Sequence, residues 1–153
     1  MKTYLMKTGM LTVLCLCLVM AGIAAAGGKA KVVVNDQVVE SGEAIGAFVV
    51  LDGDGTYDVY AALTGGILGD QFMIFKEDGT MVPFNGDLTS LPKLKANLNF
   101  NSLSVKDKII SLLPKMPLDD TSSIKGTYTF MVGLCTPGKL DFPVIDQISV
   151  DVK

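Results

Sequence analysis

A chain of 153 residues with 13 basic and 16 acidic side chains carries a formal charge of −3, and it contains no His, no Trp and no Arg. Without His it lacks the commonest general base and the commonest transition-metal ligand, which excludes a catalytic triad or a Cys–His dyad within this chain. Without Arg it cannot form bidentate forks to phosphate, and its mild acidity argues against a nucleic-acid surface.

The chain opens with Lys2 and Lys7, an apolar run from Met10 to Ile23, and then Ala24-Ala25-Ala26-Gly27-Gly28. A short basic region, an apolar core and a small-x-small exit predict a cleavable signal helix over residues 1–26, cut after Ala26. The alternative is a retained anchor. Against it, the run falls short of the ~20 residues that span a bilayer and ends in Ala and Gly instead of a flanking charge. Cys15 and Cys17 each follow a Leu, so neither fits lipid modification, and both leave with the signal. Cys135 then stands alone, and no intramolecular disulfide framework is available. Removing 26 residues leaves 127, with 11 Lys against 16 acids and a charge of −5. Residues 27–153 are expected to form one exported domain, periplasmic or extracellular, with no membrane association once the signal is gone.

The mature chain reads as a succession of short strands. Lys31 to Asn35 is the first, and Asn35-Asp36 turns it into Gln37-Val38-Val39. Ala44 to Leu51 is a near-continuous apolar run, the pattern of a buried strand, and its Gly46 marks a bulge or a tight neighbour. After the loop Asp52-Gly53-Asp54-Gly55-Thr56, Tyr57, Val59, Ala61 and Leu63 share one face of a strand, opposite Asp58, Tyr60 and Ala62. Gln71 to Lys76 and Thr80 to Phe84 flank Asp78-Gly79, a strong hairpin signal, and Pro83 ends the return strand or puts it at an edge. Asn85 to Asn101 reads as a long loop with one short strand. Ser104 to Leu113 fits either a capped short helix or a strand ended by Pro114, and the strand suits the order of elements better. The last strand has Ile148, Val150 and Val152 on one face and Gln147, Ser149 and Asp151 on the other.

Gly126-Thr127-Tyr128-Thr129-Phe130-Met131-Val132-Gly133-Leu134 organises the rest. Tyr128, Phe130, Val132 and Leu134 fall on one face, as in a strand with one side in a core. Any central strand would show this composition. With Asp58-Val59-Tyr60-Ala61-Ala62-Leu63, the Asp78-Gly79 hairpin and the final alternating strand, Ala44 to Lys153 resembles the immunoglobulin-like or fibronectin-type-III-like modules of bacterial exported proteins. The resemblance implies an all-β, immunoglobulin-like antiparallel β-sandwich. It also implies that Tyr128 hydrogen-bonds back across a corner. The Cys…Trp…Cys signature of antibody domains is missing.

One stretch suggests a metal site. Asp52, Asp54 and Asp58 in Asp52-Gly53-Asp54-Gly55-Thr56-Tyr57-Asp58 could gather oxygens around Ca²⁺, and the stretch resembles short Asp-x-Asp-Gly-x-x-Asp calcium loops. Leu63 stands where an EF-hand loop has its bidentate Glu. An exposed connection whose Asp and Gly supply turn geometry is the favoured reading, with no metal, no cofactor and no catalytic residue. The expected function is that of a non-catalytic exported module with a structural or binding role toward a protein or carbohydrate. A calcium-dependent adhesion module using Asp52 to Asp58 is the alternative.

Overall fold

Alternation of apolar and polar residues decides which faces meet, and the strands that show it turn their apolar side inward. The structure, a computed structural model, describes residues 27–153. The expected signal helix over 1–26 lies outside the described residues.

Ten strands follow in order: β1 (Gly28–Val34), β2 (Val38–Val39), β3 (Ala44–Gly53), β4 (Thr56–Gly65), β5 (Met73–Phe75), β6 (Met81–Pro83), β7 (Lys95–Asn99), β8 (Ile109–Pro117), β9 (Gly126–Cys135) and β10 (Val144–Val152). They form a small sheet of order β1-β3-β8 and a large one of order β2-β10-β9-β4-β5-β6, with β7 also paired to β4. One apolar core lies between the sheets. Val32, Val49, Leu51 and Leu112 come from the small sheet, and Val59, Phe75, Phe130, Val132, Leu134 and Val150 from the large one. The protein is thus mostly β, in two sheets.

The Gly126–Cys135 strand is the centre of the large sheet, paired to β10 on one side and β4 on the other. Phe130, Val132 and Leu134 are buried, and Phe130 stacks on Phe75 with ring centroids 6.5 Å apart. Tyr128 Oη donates to the Ile124 carbonyl four residues upstream at 2.8 Å, the corner bond expected of it. It also accepts from the Ile67 N–H at 3.3 Å.

The two sides of the sheet pair differ. Where β1 lies against β10, the inward-facing Asp146 accepts the Val32 N–H at 2.8 Å. A side chain thus satisfies a backbone donor on the free edge of β1, which an unpaired strand edge would leave open. On the opposite side β8 and β5–β6 have no strand between them.

Three expectations need correction. The sheets are not wholly antiparallel, because β2 runs parallel to β10, with Val38 opposite Asp151. The turn at Asn35–Gln37 carries the chain from the small sheet to the edge of the large one, where Val39 is buried. The strand placed at Ser104–Leu113 begins only at Ile109, after a turn, and continues through Pro114 to Pro117. Pro114 is tolerated because β8 has a free edge and because Pro114 falls in a bulge. Leu113 pairs with Ala47 and Met116 with Ile45, so Pro114 faces no ladder partner. The first strand starts at Gly28, not Lys31.

Candidate functional site

The acidic stretch Asp52–Asp58 is split by the fold. Asp52, at the end of β3, is exposed, and its carboxylate lies 3.4 Å from Lys108 Nζ. The Gly53 N–H, with help from Lys108, holds its pKa below the usual carboxylate value. Asp54 sits exposed in the hairpin, where its N–H donates to the Gly27 carbonyl at 3.1 Å. Asp58 corrects the expectation of an exposed connection, because it is 0 % exposed. Among the described residues no three acidic or Cys side chains converge as metal ligands.

Asp58 is buried because the outer face of β4 is covered. The segment leading into β7 and the turn after β9 close over it. Asp58 Oδ2 meets Lys93 Nζ at 2.7 Å and accepts the Gly138 N–H at 3.1 Å. Its Oδ1 accepts the Asn97 N–H at 2.8 Å. The last bond rests on a bulge. Tyr57 pairs with Leu98 and Val59 with Lys95, which leaves an extra residue on β7 opposite Asp58. Asn97 adopts a positive φ of 51° there, a conformation that Asn tolerates better than most residues.

Burial alone would raise the pKa of Asp58. Lys93 and the two N–H donors outweigh it, and the pKa ends below the ordinary carboxylate value. The hydrogen bond to Asp58 in turn raises the pKa of Lys93. Amide formation between the two would need a neutral amine and a protonated acid, and this site favours the opposite charge states. The pair is a clamp. Beside it, Cys135 is buried, and desolvation pushes its thiol up to about 11, far from a reactive thiolate. Phe142 packs on Tyr60 with centroids 5.5 Å apart and fills the space over Gly133, where a Cβ would stand 2.7 Å from its ring.

The strap from Phe84 to Leu94 covers more of this outer face. Tyr60, Ala62 and Met131 meet Phe84, Leu88 and Leu91 around a small apolar cavity of about 100 Å³.

The opening of the fold is on the other side. A cavity of about 280 Å³ enters the core where β8 faces β5–β6, and it runs to the end of the sheet pair at Ile45, Ile124 and Val152. Leu113 and Met116 line it from the small sheet, and Leu63, Met73, Met81 and Phe130 from the large one. The lining side chains are apolar apart from Tyr128, whose hydroxyl is engaged by Ile124 and Ile67. Such a surface offers a ligand packing and little hydrogen bonding. The bulges of β8 turn Leu113 and Met116 toward it, and no local sequence pattern announces that.

No described helix is long and apolar enough to cross a membrane. What these observations define is an all-β protein of two sheets with a carboxylate clamp on one face and an apolar cleft at one side. No family model matches the chain, and no curated protein matches it. Among solved structures it is similar to Spo0M, a sporulation control protein from Bacillus subtilis, at 12% identity and a TM-score of 0.35, over 84% of this chain and 50% of that one. The chain therefore spans half the length of that protein.

Proposed function

We propose that the chain is a non-catalytic exported binding module, an immunoglobulin-like β-sandwich whose ligand enters the cleft between β8 and β5–β6. The corner bond of Tyr128 to Ile124 supports the immunoglobulin-like reading. The cleft carries the functional one. At about 280 Å³ it lies near the lower end of the ~300–1,000 Å³ range of small-molecule pockets. Met73, Met81 and Met116 give it an adaptable wall, since unbranched thioethers repack around irregular shapes. Sugar hydroxyls would lose their water there without replacement, so the lining suits hydrocarbon better than carbohydrate.

The ligand class is accordingly an alkyl chain, and titration with a series of straight-chain fatty acids tests it. Each methylene buried contributes about 0.8 kcal/mol, so affinity should rise about fourfold per carbon until the cleft is filled. Met81→Glu/Met116→Glu alters two exposed positions and should abolish binding without lowering the melting temperature. A flat response to chain length, or equal binding by the double variant, would refute the cleft as the site.

A further inference from the structure

The outer face of the small sheet is unusual for a solvated surface. Cross-strand register places Lys31, Val50 and Ile109 in one row, and Val33, Phe48 and Ser111 in the next. Val33, Val50 and Ile109 are all exposed, the last by 52 %. Val105, in the turn just before β8, is exposed by 82 %. Lysines frame this apolar centre. Lys29 precedes Lys31 on the outward face of β1, and Lys115 lies against Gly46 on β8, where a Cβ on Gly46 would stand 3.2 Å from its Cα. Asp52, the acid on the strands of this face, pairs with Lys108 and stands opposite Lys29 in the register, and Asp107 is exposed in the turn that holds Val105. Among the described residues Lys31 and Lys115 make no ion pair, and they stand on the face that also exposes aliphatic side chains.

We infer that this face docks on an anionic lipid surface. Lysines around exposed aliphatic side chains meet such a surface in two ways. Each lysine near it contributes about 1 kcal/mol, and the apolar side chains enter the headgroup boundary. Charge also disfavours a second copy, because an isologous pairing about the apolar centre would crowd the framing lysines of both copies onto one rim. The absence of Arg favours a diffuse anionic surface over an acidic protein, whose carboxylates are best held by bidentate forks and whose interfaces are depleted in Lys. The face is on the far side of the small sheet from the cleft, so it stands or falls independently of the alkyl-ligand reading. It replaces the expectation that the processed chain keeps away from membranes with peripheral contact, not a span.

The test is co-sedimentation of the exported chain with vesicles of phosphatidylcholine alone and of phosphatidylcholine mixed with phosphatidylglycerol. Binding is expected only on the mixed vesicles and should weaken as salt shortens the reach of the charges. Lys31→Gln/Lys115→Gln should lower affinity roughly 25-fold, about fivefold per lysine. Val50→Ser/Ile109→Ser should also weaken it while the chain stays folded at the assay temperature, as circular dichroism reads. No binding, or equal binding to neutral vesicles, overturns the inference. Equal capture by soluble polyglutamate, indifferent to Val50→Ser/Ile109→Ser, overturns it in favour of an acidic polymer or protein. A concentration-dependent dimer lost in that same variant overturns it in favour of a second copy.

Discussion

Replacing Asp58 should be among the most damaging single changes in the described chain. Its side chain is 0 % exposed and joins three segments that are distant in sequence: Lys93 before β7, Asn97 in β7 and Gly138 after β9. Asp58→Ala leaves the Asn97 and Gly138 N–H groups without their acceptor, at about 1–3 kcal/mol for each that stays dry. Lys93 is partly exposed and can return to water, so its share is smaller. The sum falls at about 3–5 kcal/mol, the range for breaking a buried pair, against a total stability of about 5–15 kcal/mol. In a domain of this size that is a fall of about 10–20 °C in melting temperature. Asp58→Asn keeps the shape and one acceptor but turns an amide N–H₂ toward a donor, so it should lose somewhat less. The pH dependence gives a second reading. The folded pKa of Asp58 is depressed, so its stabilisation is fully present above the ordinary carboxylate pKa. It is lost as pH falls through the lower folded value, and Asp58→Asn should flatten this acid limb of the stability curve. Urea denaturation as a function of pH, on wild type and both variants, measures all of this. A midpoint for Asp58→Ala within error of wild type, with the acid limb intact, would refute the clamp.

Two further outcomes follow from the core. Phe130→Ala removes a ring that is 2 % exposed and stacked on Phe75, and it should cost about 3–5 kcal/mol by denaturation; a loss below about 1 kcal/mol would place β9 outside the core. Cys135, buried and with its pKa raised to about 11, should resist iodoacetamide at mildly alkaline pH until the chain is unfolded, as read by mass spectrometry.

The sequence made the strands legible where one face met the core. Tyr57, Val59, Ala61 and Leu63 alternate with Asp58, Tyr60 and Ala62, and β4 uses that alternation as read. Tyr60 and Ala62 make the second face of β4 apolar as well. A strand apolar on both faces is covered on both. That signal could have placed Asp58 under cover instead of in an exposed loop. Its partners were harder to foresee, since Lys93 and Asn97 lie in a stretch without clear period, and Gly138 is 80 residues away. Asp146 is similar. It interrupts the inward row of Val144, Ile148 and Val150 and reads locally as a defect, yet it receives the Val32 N–H, 114 residues away.

The contrast between the two sides of the sheet pair follows from which residues sit at the edges. On the β1–β10 side an acceptor was supplied, and Asp146 ties one sheet to the other through a single backbone donor. On the opposite side the edge strands carry prolines: Pro114 and Pro117 on β8, and Pro83 at the end of β6. A proline has no N–H to offer, so these positions cannot extend a ladder toward a neighbouring strand. Ile109 and Ser111 on β8 and Met81 on β6 keep their N–H groups, so the prolines remove part of each edge. With no backbone bond to draw the edges together, the space between them is left to side chains. There the chain has placed Met73, Met81 and Met116, whose flexible thioethers can pack against one another or part around a guest. An apolar opening into the core is costly unless something covers it, because exposed aliphatic surface favours removal from water. The two sides therefore differ in what spans them: a carboxylate bridges the sheets at Val32 and Asp146, and methionines line the opening at β5, β6 and β8.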